Sequence, residues 1–343
     1  MTETFSYVQM QGNTMTKQTK NDSSTGMGYE IIELARGAGP RGIALNSDGT
    51  RAFVCNFPIN TVSVINLVTK RIIADIPVGA NPYYAAYDPN RNRCYITCLN
   101  TPVTVFVIDE QRVIKEIVGS PSLLQYKRMT VDPINKRLYV TRPYALEQNA
   151  NIIVIDTDTD EIIASIEIAS GQLESSIAVD PVKHRAYVPI SYSRENAIIQ
   201  AIDTQTYKFL ELGPWISGEP RNAVLSPDRD LLYVAGARTN TSIVDTQTAS
   251  LVRSIHRPGE DINLSPKGDR AYFSYYYFIK GENWCALHTV DTSTGELIGN
   301  HLIARHVPFE MVLSPDGKYG YAPGRSGESS RVLVFDISSF STP

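Results

Sequence analysis

The chain carries two tryptophans, five histidines and four cysteines among 343 residues, and each scarcity excludes a kind of chemistry. The cysteines, Cys55, Cys94, Cys98 and Cys285, form no CxxC pair of the zinc or redox type and no CxxCH of the haem-attachment type. A chain this long buries enough core to dispense with disulfide staples, so they are read as reduced strand residues. Cys94 and Cys98 fall in or beside one predicted strand, where residues four apart lie ~13 Å from each other, beyond the reach of a disulfide. No apolar run is long enough to cross a bilayer. The opening residues MTETFSYVQMQGNTMTKQTKNDSSTGMG lack the apolar segment of an export signal, which points to a cytoplasmic protein without membrane contact. Residues 1–28 are rich in Ser, Thr, Asn, Gln and Lys, a composition expected to stay disordered. With a net charge of -4 and no Lys/Arg run, nucleic acid is excluded as a partner. No GxSxG elbow, HExxH or HxH pair, dinucleotide fingerprint or phosphate loop occurs.

What is present is repetition. A hydrophobic strand followed by a Ser/Asp-Pro-Asp-Gly-like turn recurs seven times: IALNSDG from Ile43, AAYDPN from Ala85, MTVDPIN from Met129, IAVDPVK from Ile177, AVLSPDR from Ala223, INLSPKG from Ile262 and MVLSPDG from Met311. A second alternating strand follows each copy: RAFVCN, RCYITC, RLYVTR, RAYVPI, LLYVAG, RAYFSY and YGYAPG. Most copies add a third strand ending in Asp-Thr-x-Thr, as in VIDTDT and TVDTST. There the Asp bonds its own downstream backbone in an Asx-type turn and sends the chain into a fourth strand. The turn anchors Asn46, Asp88, Asp132, Asp180, Ser226, Ser265 and Ser314 are separated by 39 to 49 residues, the period of a four-stranded propeller blade. The expected fold is all-β, a seven-bladed β-propeller of antiparallel four-stranded blades over 29–343. The last copy lacks a fourth strand, and YEIIELAR, Tyr29 to Arg36, has no blade of its own. It is predicted to pair with Arg331 to Ile337 and close the ring.

The phrases YVTR, YVPI and YVAG and the repeated VDTxT turns resemble the YVTN-repeat (YncE-like) seven-bladed propellers, over roughly everything after Gly28. That resemblance implies a place in the wider lactonase-like propeller group. The group includes lactonase-type hydrolases, muconate-lactonising enzymes, a propeller lyase, propeller subunits of amine dehydrogenases and proteins that only bind. No complete catalytic motif of any of them matches residue by residue, and fold alone does not name an activity.

In a propeller the first strands line the channel, and the loops entering them share a face with the second-to-third loops. The two positions before each first-strand run are Arg41 and Gly42, Tyr83 and Tyr84, Lys127 and Arg128, Ser175 and Ser176, Arg221 and Asn222, Glu260 and Asp261, Phe309 and Glu310. His256 and His306 lie in the loops entering blades six and seven, close in sequence to Glu260, Asp261 and Glu310. His beside carboxylate serves acid–base chemistry near neutral pH, so His306, Glu310, His256, Glu260 and Asp261 are the candidate catalytic residues. Arg41, Tyr83, Tyr84, Lys127, Arg128, Arg142, Tyr144, Tyr192, Arg221, Tyr276, Trp284 and Phe309 are the candidate substrate-binding residues. Arg128 or Arg221 would hold a carboxylate or an enolate-like charge. Trp215 is placed in the loop entering blade five. The expected activity is cofactor-independent cyclisation, isomerisation, elimination or lactone hydrolysis. Its substrate would be a polar or anionic small molecule with an aromatic or apolar part. No metal ligand is assigned, a divalent ion on the His/carboxylate group being the lesser option. The competing reading is a noncatalytic propeller that binds a peptide or protein on the same face.

Overall fold

A computed structural model of the chain describes residues 20–21, 28–99, 104–118, 128–142, 150–173, 175–236, 240–256, 259–279, 282–304, 307–308, 310–326 and 329–338. Six four-stranded antiparallel sheets and one six-stranded sheet form the seven blades. Blade one is Pro40–Leu45, Arg51–Asn56, Thr61–Asn66 and Arg71–Pro77, and blade three is Met129–Asp132, Arg137–Arg142, Ala150–Asp156 and Glu161–Ile168. The closing strand is Gly28–Glu33, antiparallel to Ser329–Asp336 with Tyr29 opposite Phe335 and Glu33 opposite Arg331. The closing strand and the last strand of the chain therefore share one sheet, as expected. Lys20 and Asn21 pair onto the outer side of Gly28–Glu33.

The repeated aromatic of the second strands explains why the phrase recurs. Phe53, Tyr95, Tyr139, Tyr187, Tyr233, Tyr272 and Tyr321 occupy equivalent positions and all are buried. Each belongs to a different apolar cluster, and each cluster joins the faces of two adjoining blades. Tyr139 of blade three, for example, packs with Ile190 and Ile198 of blade four. Middle strands are covered on both faces by neighbouring blades, so RLYVTR is buried almost throughout. The outer strand EIIASIEI, with one face in water, alternates towards its end.

Turn chemistry fixes both ends of each blade. Asp156 Oδ1 accepts the N–H groups of Asp158 and Thr159, and Asp109, Asp203, Asp245 and Asp291 do the same in their own turns. At the other turn the anchors are buried and hold the loop backbone, as in Ser265 Oγ accepting Arg270 N–H at 3.1 Å. Neighbouring turns touch: a Cβ on Gly317 would lie 2.6 Å from Pro266 of blade six, and Gly317 also has φ +70°, so glycine is required there.

Candidate functional site

The second member of each predicted pair lines the channel mouth. Tyr84, Arg128, Ser176, Asn222, Asp261 and Glu310 surround one cavity of about 320 Å³. The seventh equivalent position is Gly42, where a Cβ would lie 2.5 Å from Tyr83 O, so blade two approaches blade one closely only because that side chain is missing. In blades one, two and five the first member is displaced by an irregularity in strand register. Pairing shifts between Pro40 and Ile43, Pro82 and Tyr84, and Pro220 and Asn222. The extra residues at these bulges include Arg41, Tyr83 and Arg221, and a bulge re-aims a side chain. In these three blades the pair thus separates into an inner and an outer member.

The inner ring is stitched blade to blade. Ser176 Oγ accepts Ala223 N–H at 2.9 Å and donates to Asn222 Oδ1. Asn222 Nδ2 donates to Asp261 Oδ1 and to Ile262 O, the latter at 3.2 Å. Asp261 Oδ2 accepts Met311 N–H at 2.9 Å, and Glu310 Oε2 accepts Ile43 N–H at 3.1 Å, which joins blade seven to blade one. Arg128 faces this chain from blade three. Its Nη1 stands 3.7 Å from Asp261 Oδ1 and 3.9 Å from Glu310 Oε1, both beyond hydrogen-bonding distance. Its Cζ lies 5.2 Å from the Tyr84 ring centroid, a cation–π distance.

One cation and two carboxylates in a shielded channel cannot all keep their ordinary protonation. Burial pushes the Glu310 carboxyl up to about 8; Arg128 pulls it down and the Asp261 charge adds to the rise. Burial also raises Asp261, opposed by Arg128, the Met311 N–H and Asn222. For Arg128, burial disfavours the guanidinium charge, but Tyr84, Asp261 and Glu310 outweigh it and the group stays cationic. Both carboxyls are therefore raised beside the Arg128 cation, and Glu310, lifted to about 8, is a neutral acid at neutral pH. Both oxygens of Asp261 are engaged, whereas Glu310 Oε1 accepts no hydrogen bond among the described residues. Glu310 is the carboxyl of this ring positioned to exchange a proton.

The other described candidates do not line this cavity. Arg41 lies over the rings of Phe57 and Tyr83, 5.1 and 5.7 Å from their centroids, and Tyr83 leans on Tyr84 at 4.8 Å. Arg221 Nε stands 3.8 Å from Glu260 Oε2. Arg142 is buried at the end of its strand. Tyr192 sits at the blade-four hairpin tip with its ring 5.7 Å from Trp215. Trp215 belongs to the outer strand Phe209–Ser217 of blade four, not to the loop entering blade five, because that strand continues through two register shifts before ending. His256 is exposed just past the strand Ser250–Ile255. Lys127, Tyr144, His306 and Phe309 lie outside the described residues. Tyr276 and Trp284 stand in the paired strands Arg270–Ile279 and Glu282–Asp291, where a long loop was expected, and their side chains lie outside the description. Sequence reasoning had put Ser176 and Asn222 on the channel without giving them a part. Their place one residue before the apolar run, shared with Arg128 and Asp261, was the signal. Among the described residues no group of three or more His, Cys, Asp or Glu side chains is placed to hold a metal, and no helix is long and apolar enough to cross a membrane.

No family model matches the chain. It is 23% identical, over a 372-residue alignment covering 95% of this chain and 91% of the relative, to the seven-bladed beta-propeller protein Rv1057 of Mycobacterium tuberculosis. Among solved structures it is similar to a chain of Kuenenia stuttgartiensis hydrazine synthase, with TM-score 0.70 and 20% identity over 88% of this chain and 96% of that one. At this identity the likeness carries the fold and no activity.

Proposed function

We propose that the channel mouth is the active site of a cofactor-independent cytoplasmic enzyme that moves a proton on a small carboxylate-bearing molecule. The observation that carries this reading is Arg128 held 3.7 and 3.9 Å from two carboxylates without a hydrogen bond to either. A buried guanidinium that, among the described residues, gives no hydrogen bond to either neighbouring carboxylate matches the two oxygens of a carboxylate or enolate. Glu310, a neutral acid at pH 7, donates the proton or takes one back after ionising. Asp261, fixed by Asn222 and the Met311 N–H, keeps Arg128 charged and placed. Cyclisation, isomerisation, elimination and lactone hydrolysis all use this pairing of charge stabilisation with proton transfer.

The test compares wild type with Glu310→Gln on a polar metabolite extract followed by mass spectrometry. A carboxylate consumed by wild type and left intact, but retained in native mass spectra, by the variant supports the reading. Equal consumption by both proteins, or none by either, overturns it.

The second reading, a peptide-binding face, draws on Tyr192 and Trp215, which are 48% and 60% exposed and packed together on the blade-four edge. Exposed paired aromatics suit a hot spot. A partner lost on Trp215→Ala but kept on Arg128→Gln would favour it.

A further inference from the structure

Most polar side chains of the mouth cavity are bonded to their neighbours, and one gap between them is not closed. Ser176 Oγ donates to Asn222 Oδ1 and accepts the Ala223 N–H. Both hydrogens of the Asn222 amide are engaged, by Asp261 Oδ1 and by Ile262 O, and Asp261 Oδ2 accepts the Met311 N–H. Two more lining side chains are tied in the same way: Thr130 Oγ1 donates to Ile177 O at 2.7 Å and Asn263 Nδ2 to Met311 O at 3.0 Å. Glu310 is held through Oε2, by the Ile43 N–H. Its Oε1 accepts no hydrogen bond among the described residues and stands 3.9 Å from Arg128 Nη1. That gap is too wide for a direct hydrogen bond, but one oxygen set between the two atoms reaches both with bonds of about 2.8 Å.

The two edges of the gap decide what can fill it. A guanidinium only donates. Glu310 has Oε2 turned to an N–H, so in its neutral form the proton sits on Oε1 and that edge donates as well. An occupant between two donors is an acceptor. An extended polyhydroxy chain would need partners all round the ring, and on blades four, five and six the donor hydrogens of Ser176 and Asn222 and both oxygens of Asp261 are already engaged. A compact cluster of acceptor oxygens suits the ring instead. We infer that the ligand is a 2-oxo carboxylate, its carboxylate on Arg128 and its 2-oxygen in the gap between Arg128 Nη1 and Glu310 Oε1. This rests on the reading of Arg128 as the carboxylate anchor. An oxo group on the carbon next to the carboxylate keeps its oxygens together at one guanidinium and one carboxyl, whereas an oxo group farther along the chain falls outside the gap. A hydroxyl in the same place brings a hydrogen that meets a second donor.

The experiment is calorimetric titration of the full chain with pentanoate, 2-oxopentanoate, 4-oxopentanoate and 2-hydroxypentanoate at pH 6.5 and pH 9. The Glu310 carboxyl, raised to about 8, is a donor at the first pH and an acceptor at the second. At pH 6.5 the 2-oxo acid should bind about tenfold tighter than pentanoate, and the 4-oxo acid no tighter. At pH 9 that gain should vanish in wild type and persist in Glu310→Gln, whose amide donates at either pH, while the 2-hydroxy acid overtakes the 2-oxo acid in wild type. Arg128→Gln should weaken all four. The deciding comparison uses wild type alone, so a variant found misfolded by circular dichroism does not remove it. Pentanoate that binds through Arg128 with no gain from the 2-oxo group, or with an equal gain from the 4-oxo group, would overturn the 2-oxo assignment and leave the anchor standing. A 2-oxo gain that is the same at both pH values in wild type, or a 2-hydroxy acid that binds the tighter at pH 6.5, would overturn the donation by Glu310 on which the assignment depends. Failure of every acid to bind, or binding indifferent to Arg128→Gln, would overturn the anchor as well.

Discussion

Two buried arginines lie one blade apart and are partnered in opposite ways. Arg93 of blade two is 6% exposed and reaches into the outer turn of blade three. Its Nη1 donates to Asp160 Oδ2 at 2.9 Å, and its Nη2 donates to Asp160 Oδ1, Tyr95 OH and Thr157 O. Tyr95 OH in turn donates to Asp160 Oδ1 at 2.8 Å. Arg128, at 8% exposed, has two carboxylates within 4 Å and a hydrogen bond from its guanidinium to neither. A guanidinium that clamps two blades spends its donors on the protein. Under the proposed function, Arg128 is instead balanced by two carboxylates that do not take its donors. Burial alone does not separate structure from function; the geometry of the partners does.

The sharpest way to break that contrast is to remove each cation in turn. Arg93→Leu leaves Asp160 buried without its fork, and truncating one partner of such a pair costs about 3–5 kcal/mol. Urea denaturation should show that loss nearly unchanged between pH 6 and 9. Arg128→Gln should cost less at pH 6, where Glu310 is already neutral, and more at pH 9, where two carboxylates would share the channel uncompensated. Equal, pH-independent losses in the two variants would mean that Arg128 is a clamp too.

Glu310→Gln sharpens the same point through linkage. The folded-state carboxyl is raised from 4.5 to about 8, so between those pH values the native state binds a proton that the unfolded chain does not. Its contribution is fully present below about 4.5 and is lost as pH rises through about 8. The glutamine variant, which retains an oxygen for the Ile43 N–H, should match wild type near pH 4.5 and become the more stable of the two by pH 8. A constant difference across that range would show that the carboxyl is not raised. Any activity that needs the acid form should fall above about pH 8 in wild type.

Much of this was legible in the sequence, for a reason that also marks where legibility stopped. The aromatic of each second strand, the Asp or Asn of each third-to-fourth turn and the closing strand from Tyr29 follow from a pattern that seven blades must all satisfy. Repetition made local propensity and long-range packing agree. The inner ring was legible to within one residue: the pairs were found, but not which member faces the channel. Bulges at Tyr83 and Arg221 break the alternation that would have decided it. The same cause misplaced Trp215. Hydrogen bonds that cross from blade to blade, such as Ser176 to Asn222 to Asp261, join residues about 40 to 50 positions apart, and no spacing rule reaches that far.

The smallest effect tests the comparison at a single oxygen on each side. Tyr95 and Tyr84 both place their rings beside a buried arginine, with centroids 5.3 Å from Arg93 and 5.2 Å from Arg128. Phenylalanine preserves each ring and removes only the hydroxyl. At Tyr95 the hydroxyl accepts from Arg93 and donates to Asp160, and a hydrogen bond to a charged group contributes about 1.5–3 kcal/mol. At Tyr84 the guanidinium is met by the ring face, and cation–π attraction survives the change. Tyr95→Phe should therefore lower the urea midpoint measurably while Tyr84→Phe leaves it within about 0.5 kcal/mol of wild type. Tyr84→Leu, which removes the ring as well, should loosen Arg128 and weaken carboxylate binding in the calorimeter. If Tyr84→Phe destabilises the fold as much as Tyr95→Phe, the Tyr84 hydroxyl is part of a clamp, and the mouth ring loses its claim to be built for a ligand.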